Sequence, residues 1–123
     1  EAAVLAVARR YLRGLLLGDP AEVEATVDLV ALKDAFQTYV PDVGVLSAGD
    51  FAHRVREQVA KRAGRAPPGG LDARLDIALA LAALEAEGDD ASFVLPRPAE
   101  GVLDLHRGPD GWKVTFHTAL AGR

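Results

Sequence analysis

The sequence predicts an α+β fold, with N-terminal helices packed on a curved, cone-like antiparallel sheet of about four strands from the C-terminal half. Three observations predict it. Apolar residues recur at helical spacing from Ala2 to about residue 63, the run GRAPPGG at residues 64–70 breaks that period, and alternation takes over beyond residue 90. At 123 residues the chain lies within the single-domain range. Neither flank of the breaker run could bury its apolar face alone, so the chain reads as one domain: a helical half 1–63, a loop 64–70 and a sheet half 71–123.

Each element has its own signals. From Ala2 to Leu17, Val4, Val7, Ala8, Tyr11, Leu12, Leu15 and Leu16 share one arc of a 3.6-residue period, and Arg9, Arg10 and Arg13 fall opposite. Gly18 supplies a left-handed residue to end that helix. Asp19-Pro20-Ala21-Glu22 then reads as a fresh start, with Asp19 as cap, Pro20 at the first helical position and Glu22 reaching back. Asp28 caps a third helix whose inner face is Leu29, Leu32, Ala35, Phe36, Tyr39 and Val40, with Asp34 outward and Pro41 as its stop. After a turn-rich stretch, Ser47 and Asp50 pair to start a fourth helix running to Ala63, with Phe51, Val55 and Val59 inward.

In the C-terminal half, Ala91 to Pro96 reads as a strand with Phe93 and Leu95 inward, entered through Glu87-Gly88-Asp89-Asp90. Gly101 to Arg107 and Trp112 to Thr118 alternate around the turn Gly108-Pro109-Asp110-Gly111, which makes a hairpin. With Arg107 facing Trp112, strict alternation puts Leu103, Leu105, Trp112, Val114 and Phe116 on the core side. Asp104, His106, Lys113, Thr115 and His117 then fall on the wet side. Residues 72–87 read two ways. Leu75, Ile77, Leu79 and Leu81 alternate as a strand would, while the Ala/Leu-rich run has high helix propensity and Asp72 is placed to cap it.

Composition excludes several function classes. A net charge of −4 and a pI near 5.3 give no positive field for a phosphate backbone, so nucleic acid is not an expected partner. The basic residues from Arg54 to Arg65 read as the solvated side and last turn of a helix. The chain has no Cys, which removes disulfide scaffolds, thiol catalysis and thiolate metal sites. No stretch approaches the roughly 20 apolar residues that span a bilayer. The opening at Glu1, without an initiator Met, is expected of an excised or processed form.

Two local signatures carry a family resemblance. One is Tyr11-Leu12-Arg13-Gly14-Leu15-Leu16-Leu17-Gly18-Asp19, a helix closing on Gly-Asp. The other is Glu87-Gly88-Asp89-Asp90-Ala91-Ser92-Phe93-Val94 leading to Asp110-Gly111-Trp112-Lys113-Val114. With three helical segments, a loop and then strands, the chain resembles the nuclear transport factor two-like superfamily, a cystatin-like α+β cone. It resembles in particular the small bacterial members of unknown function, many of them extracytoplasmic or lipoprotein-attached. Val27 to Lys33 also resembles a segment of a bacterial domain family without assigned activity. The resemblance favours the strand reading of the ambiguous segment, from about Ile77 to Glu87.

The resemblance further implies a sheet curled around the helices, leaving an apolar pocket between them. Some members use that pocket for isomerase, dehydratase or cyclase chemistry and others only for binding. Enzyme members place a carboxylate or a His–Asp pair inside the cone, and the isomerases add a wall Tyr that stabilises an oxyanion. Here every inward position from Phe93 to Phe116 is apolar except Arg107 at the hairpin end, and His53, His106 and His117 are all expected to face water.

The candidate pocket lining is Tyr11, Phe36, Tyr39, Phe93, Leu105, Arg107, Trp112 and Phe116, with no catalytic, metal or cofactor residues assigned. Tyr11 is a core or lining residue whose buried hydroxyl must find a partner. Arg107 and Trp112 form a cross-strand pair that could also stack. The expected function is a non-enzymatic domain that holds a small apolar ligand or packs on a partner, with an isomerase-type enzyme as the alternative. The polar outer face, with Glu85, Glu87, Asp104, His106 and Lys113, predicts a monomer or weak homodimer.

Overall fold

A computed structural model describes residues 2–40, 44–65, 69–96 and 101–121. Pro41, expected to stop the third helix, and the middle of the 64–70 breaker run lie outside them. The order is α1 (Ala2–Leu17), α2 (Pro20–Thr26), α3 (Leu29–Tyr39), α4 (Ala48–Ala60), α5 (Leu71–Leu81), β1 (Ala83–Glu87), β2 (Asp90–Leu95), β3 (Gly101–Gly108), β4 (Gly111–His117) and a final turn of helix, α6 (Thr118–Ala121). The four strands form one antiparallel sheet in the order β1-β2-β3-β4, and the fold is α+β.

The expected caps form. Asp19 accepts from the Glu22 amide, Asp28 from Ala31 and Ser47 from Asp50. Glu22 does not reach back to its cap; both its carboxylate oxygens take hydrogen bonds from Arg10, at 3.0 and 2.8 Å. Gly18, at φ 71°, closes α1, and the Asp19 amide donates to the Gly14 carbonyl. A Cβ on Gly18 would stand 2.3 Å from the Ala63 amide nitrogen, so this turn also sets how closely the ends of α1 and α4 approach.

The strand expected from Ile77 is corrected. Residues 71–81 are helical, and the strand begins only at Ala83. Asp72 caps nothing, because the N-cap of α5 is Gly70, with no side-chain cap. Asp72 and Asp76, one helical turn apart, instead meet Arg9 and Arg13 on α1: Arg9 bonds Asp76 at 2.8 Å and Asp72 at 3.2 Å, and Arg13 bonds Asp72 at 3.0 Å. The Leu/Ala alternation resolves into a helix that buries Leu75 and Ala78 and leaves Ile77 and Leu81 exposed. Its propensity prevails, and the ion pairs match only helical spacing.

The core lies between helices and sheet. Val4, Ala8, Tyr11, Leu12 and Leu15 of α1 pack with Val23, Leu32, Phe36, Phe51, Val55 and Val59 against Ala91, Phe93, Leu95, Leu103, Leu105, Trp112 and Val114 of the sheet. Burying each large aliphatic or aromatic side chain contributes about 1.5–3 kcal/mol before the cost of chain entropy. The two sheet edges differ. Along β4, Val27 forms a parallel bridge to Val114, the Asp28 amide donates to the Val114 carbonyl at 2.8 Å, and Lys113 reaches the Ala25 carbonyl at 2.9 Å. Along β1 every residue is exposed, and among the described residues its ladder runs to β2 alone.

Candidate functional site

The hairpin pairs Arg107 with Trp112 as expected, and the register then shifts once. Leu105 pairs with Val114 but Asp104 pairs with Phe116, which leaves Thr115 as an extra residue in β4. A bulge of this kind re-aims the side chains beyond it. Two expectations are thereby reversed: Phe116 leaves the core side, and His117, expected in water, is fully buried opposite Leu103. The expectation that all three histidines face water is corrected by the same residue.

His117 meets Tyr11. The Tyr11 hydroxyl and the His117 Nδ1 are 2.8 Å apart, both side chains are 0 % exposed, and the rings meet edge-on with centroids 5.4 Å apart. Burial pushes the Tyr11 phenol far above its ordinary value of 10.0, with the positive charge of Arg62 acting weakly the other way. A phenol held so firmly protonated works as a hydrogen-bond group, not as a proton donor at neutral pH. The residue types are those of an acid–base pair, but no solvent-accessible surface reaches either ring.

The pocket candidates separate into two groups. Tyr11, Phe36, Phe93, Leu105 and Trp112 are packed in the core, none more than 8 % exposed. Tyr39 is not a core residue; it is 67 % exposed and stacks on Phe116 at 5.1 Å, outside the layer both were expected to line. Arg107 is half exposed, with its guanidinium 5.4 Å from the Trp112 ring and bonded to Asp89 at 2.7 and 2.9 Å. It is therefore both a cross-strand pair and a stacking contact. The remaining histidines are on the surface as expected, His53 against Glu57 at 3.5 Å and His106 against Asp90 at 2.7 Å.

The sheet's other face carries a concavity of about 680 Å³ whose lining also takes in Leu84, Ala86, Ala91 and Leu105; its polar part is Glu85, Glu87, Asp90, Ser92, Asp104 and Thr115. Alternation places these residues there: Ser92 pairs with both Glu85 and Asp104, between the inward Ala91 and Phe93. Toward the opposite end of the strands the surface turns apolar, with Val94 and Val102 paired and exposed. No set of His, Asp or Glu side chains among the described residues is arranged to hold a metal. Among the described residues, no helix is long and apolar enough to cross a membrane.

Comparison with known proteins finds no matching family model, no similar curated protein and no similar solved structure. Sequence reasoning missed His117 because a bulge leaves no composition signal. The available signal was the buried Tyr11 hydroxyl, which needed a partner that strict alternation did not supply.

Proposed function

We propose that this chain is a non-enzymatic binding or interaction domain of the nuclear transport factor two-like kind, with the free face of its sheet as the working surface. The order of N-terminal helices followed by a four-stranded antiparallel sheet supports the family reading. The observation that carries the function is the 680 Å³ concavity on the face turned away from the helices. Its lining mixes the carboxylates of Glu85, Glu87, Asp90 and Asp104 with Leu84, Ala86, Ala91 and Leu105, and the carboxylates favour a cationic or hydrogen-bonding ligand over the wholly apolar one that the family resemblance implies.

A second reading, an isomerase-, dehydratase- or cyclase-type enzyme, is favoured by the bond between Tyr11 and His117. Against it stands the complete burial of both rings, since a base must come within hydrogen-bond reach of its substrate. Amide shifts on adding small cationic, anionic and neutral apolar compounds separate the readings. Cationic compounds are expected to move Glu85, Ser92, Asp104 and Thr115. Apolar compounds moving Leu103 and His117 would relocate the site between helices and sheet, and no movement with any compound would remove the binding function.

A further inference from the structure

We propose that the open edge of β1 takes up an extended basic peptide as a fifth strand of the sheet. The proposal rests on the reading of the free face as the working surface and names its partner.

The edge is built for addition. β1 pairs with β2 in unbroken register from Ala83–Val94 to Glu87–Asp90, and it contains no Pro and no bulge. Pro and bulges are two of the devices that natural edge strands use to prevent pairing; shortness and charge are others, and β1 has five residues and carries Glu85 and Glu87, whose charge selects the partner. All five of its residues are exposed, Leu84 at 36 %. The opposite edge, along β4, is partly occupied, by Val27 at Val114 and by the Lys113 side chain, so β1 is the freer edge.

The charge pattern selects the partner. Glu85 and Glu87 project to the outer face at the edge itself, and Asp90 and Asp104 continue the acidic surface behind them. Leu84 and Ala86 project to the other face, with the exposed Leu81 beside them at the end of α5. An added strand places alternate side chains on these two faces, so its cations would stand beside the glutamates and its apolar residues beside Leu84. A second copy of the chain is disfavoured: full antiparallel overlap of two β1 strands sets Glu85 against its own counterpart, and like charges directly opposite repel. Main-chain hydrogen bonds would supply affinity, and the alternating side chains selectivity.

The test follows β1 amide shifts and amide exchange on adding an acetylated, amidated Lys-Val-Lys-Val-Lys peptide. Three comparison ligands are its Glu-Val counterpart, the basic peptide N-methylated at every backbone amide, and spermidine. The basic peptide is expected to shift residues 83–87 and slow their exchange, while the acidic and N-methylated peptides do neither. Glu85→Gln with Glu87→Gln should weaken the binding roughly fivefold, the scale of two exposed ion pairs.

Equal binding by the N-methylated peptide would overturn strand addition, and equal binding by the acidic one would overturn the charge selection. Slowed β1 exchange that rises with protein concentration and needs no peptide would assign the edge to a second copy. Spermidine keeps the two failures apart. If it moves Ser92 and Asp104 while the peptide does nothing, the peptide proposal falls and the binding face stands; if both are silent, both fall.

Discussion

The hydroxyl of Tyr11 in the first helix and the Nδ1 of His117 in the last strand lie 2.8 Å apart in a part of the core that solvent does not reach. They are 106 residues apart in sequence, so one polar contact ties the two ends of the chain together. Tyr11→Phe removes the hydroxyl and leaves the Nδ1 without this partner, and it should cost about 1–3 kcal/mol. His117→Ala should cost more, because a cavity is added to the lost bond. Urea unfolding of both single variants and the double one checks this, with a coupling of at least ~0.5 kcal/mol expected for a direct contact. Additive losses would mean that the two groups do not depend on each other.

The bulge at Thr115 is what turns His117 inward. Deleting Thr115 restores strict alternation, which would drive Phe116 toward the core and His117 toward water. The deletion should destabilise by at least ~2 kcal/mol, through a displaced buried polar group and overpacking. It should also abolish any further effect of Tyr11→Phe. A fully stable deletion protein with an unchanged His117 imidazole resonance would show that the bulge can migrate along β4.

Two left-handed glycines give contrasting expectations. Gly18→Ala combines a φ of 71° with a Cβ only 2.3 Å from the Ala63 nitrogen. Gly88→Ala, at φ 60°, has nothing within 4 Å. The second should lose only about 1–2 kcal/mol, the cost of a side chain in the left-handed region. Gly18→Ala should lose clearly more, because backbone has to move, and thermal melts of the pair would show it. Similar melting points would mean that the turn after α4 moves freely away from α1.

The Arg10 guanidinium, hydrogen bonded to both oxygens of Glu22, holds that carboxyl below its ordinary 4.5, with burial working weakly against it and the nearby charges of Arg10 and Arg13 adding to the effect. A carboxyl that is more acidic in the folded state stabilises above its unfolded pKa, and that contribution is lost as pH falls through the folded value. Wild type should therefore be slightly more stable than Glu22→Gln at pH 7, with the gap closing between roughly pH 5 and pH 3. Because the pair is exposed, the gap should also shrink in high salt. Parallel pH profiles for the two proteins would remove Glu22 from the acid response.

Most of the frame was legible because each element carries a local mechanism. The caps at Asp19, Asp28 and Ser47 and the Pro109-Asp110 turn all form where their residue types require. Two features were not legible, for different reasons. Residues 75–81 alternate apolar side chains while having helical propensity, and the decision was made by partners far away in sequence, Arg9 and Arg13, whose spacing fits Asp72 and Asp76 on a helix. The inward turn of His117 depends on one extra residue in a strand, which changes direction without changing composition. The polar outer face was readable from Glu85, Glu87, Asp104, His106 and Lys113. That it forms a concavity depends on how the strands assemble, which no single segment encodes.

The bridge from Val27 to Val114 also limits assembly. A ribbon stoppered along one side can lengthen only from the other, so edge-to-edge joining between copies ends at a pair. Runaway polymerisation through the strands is thereby hindered, even though the opposite margin stays open. The domain could thus keep a receptive strand without becoming a seed for fibres.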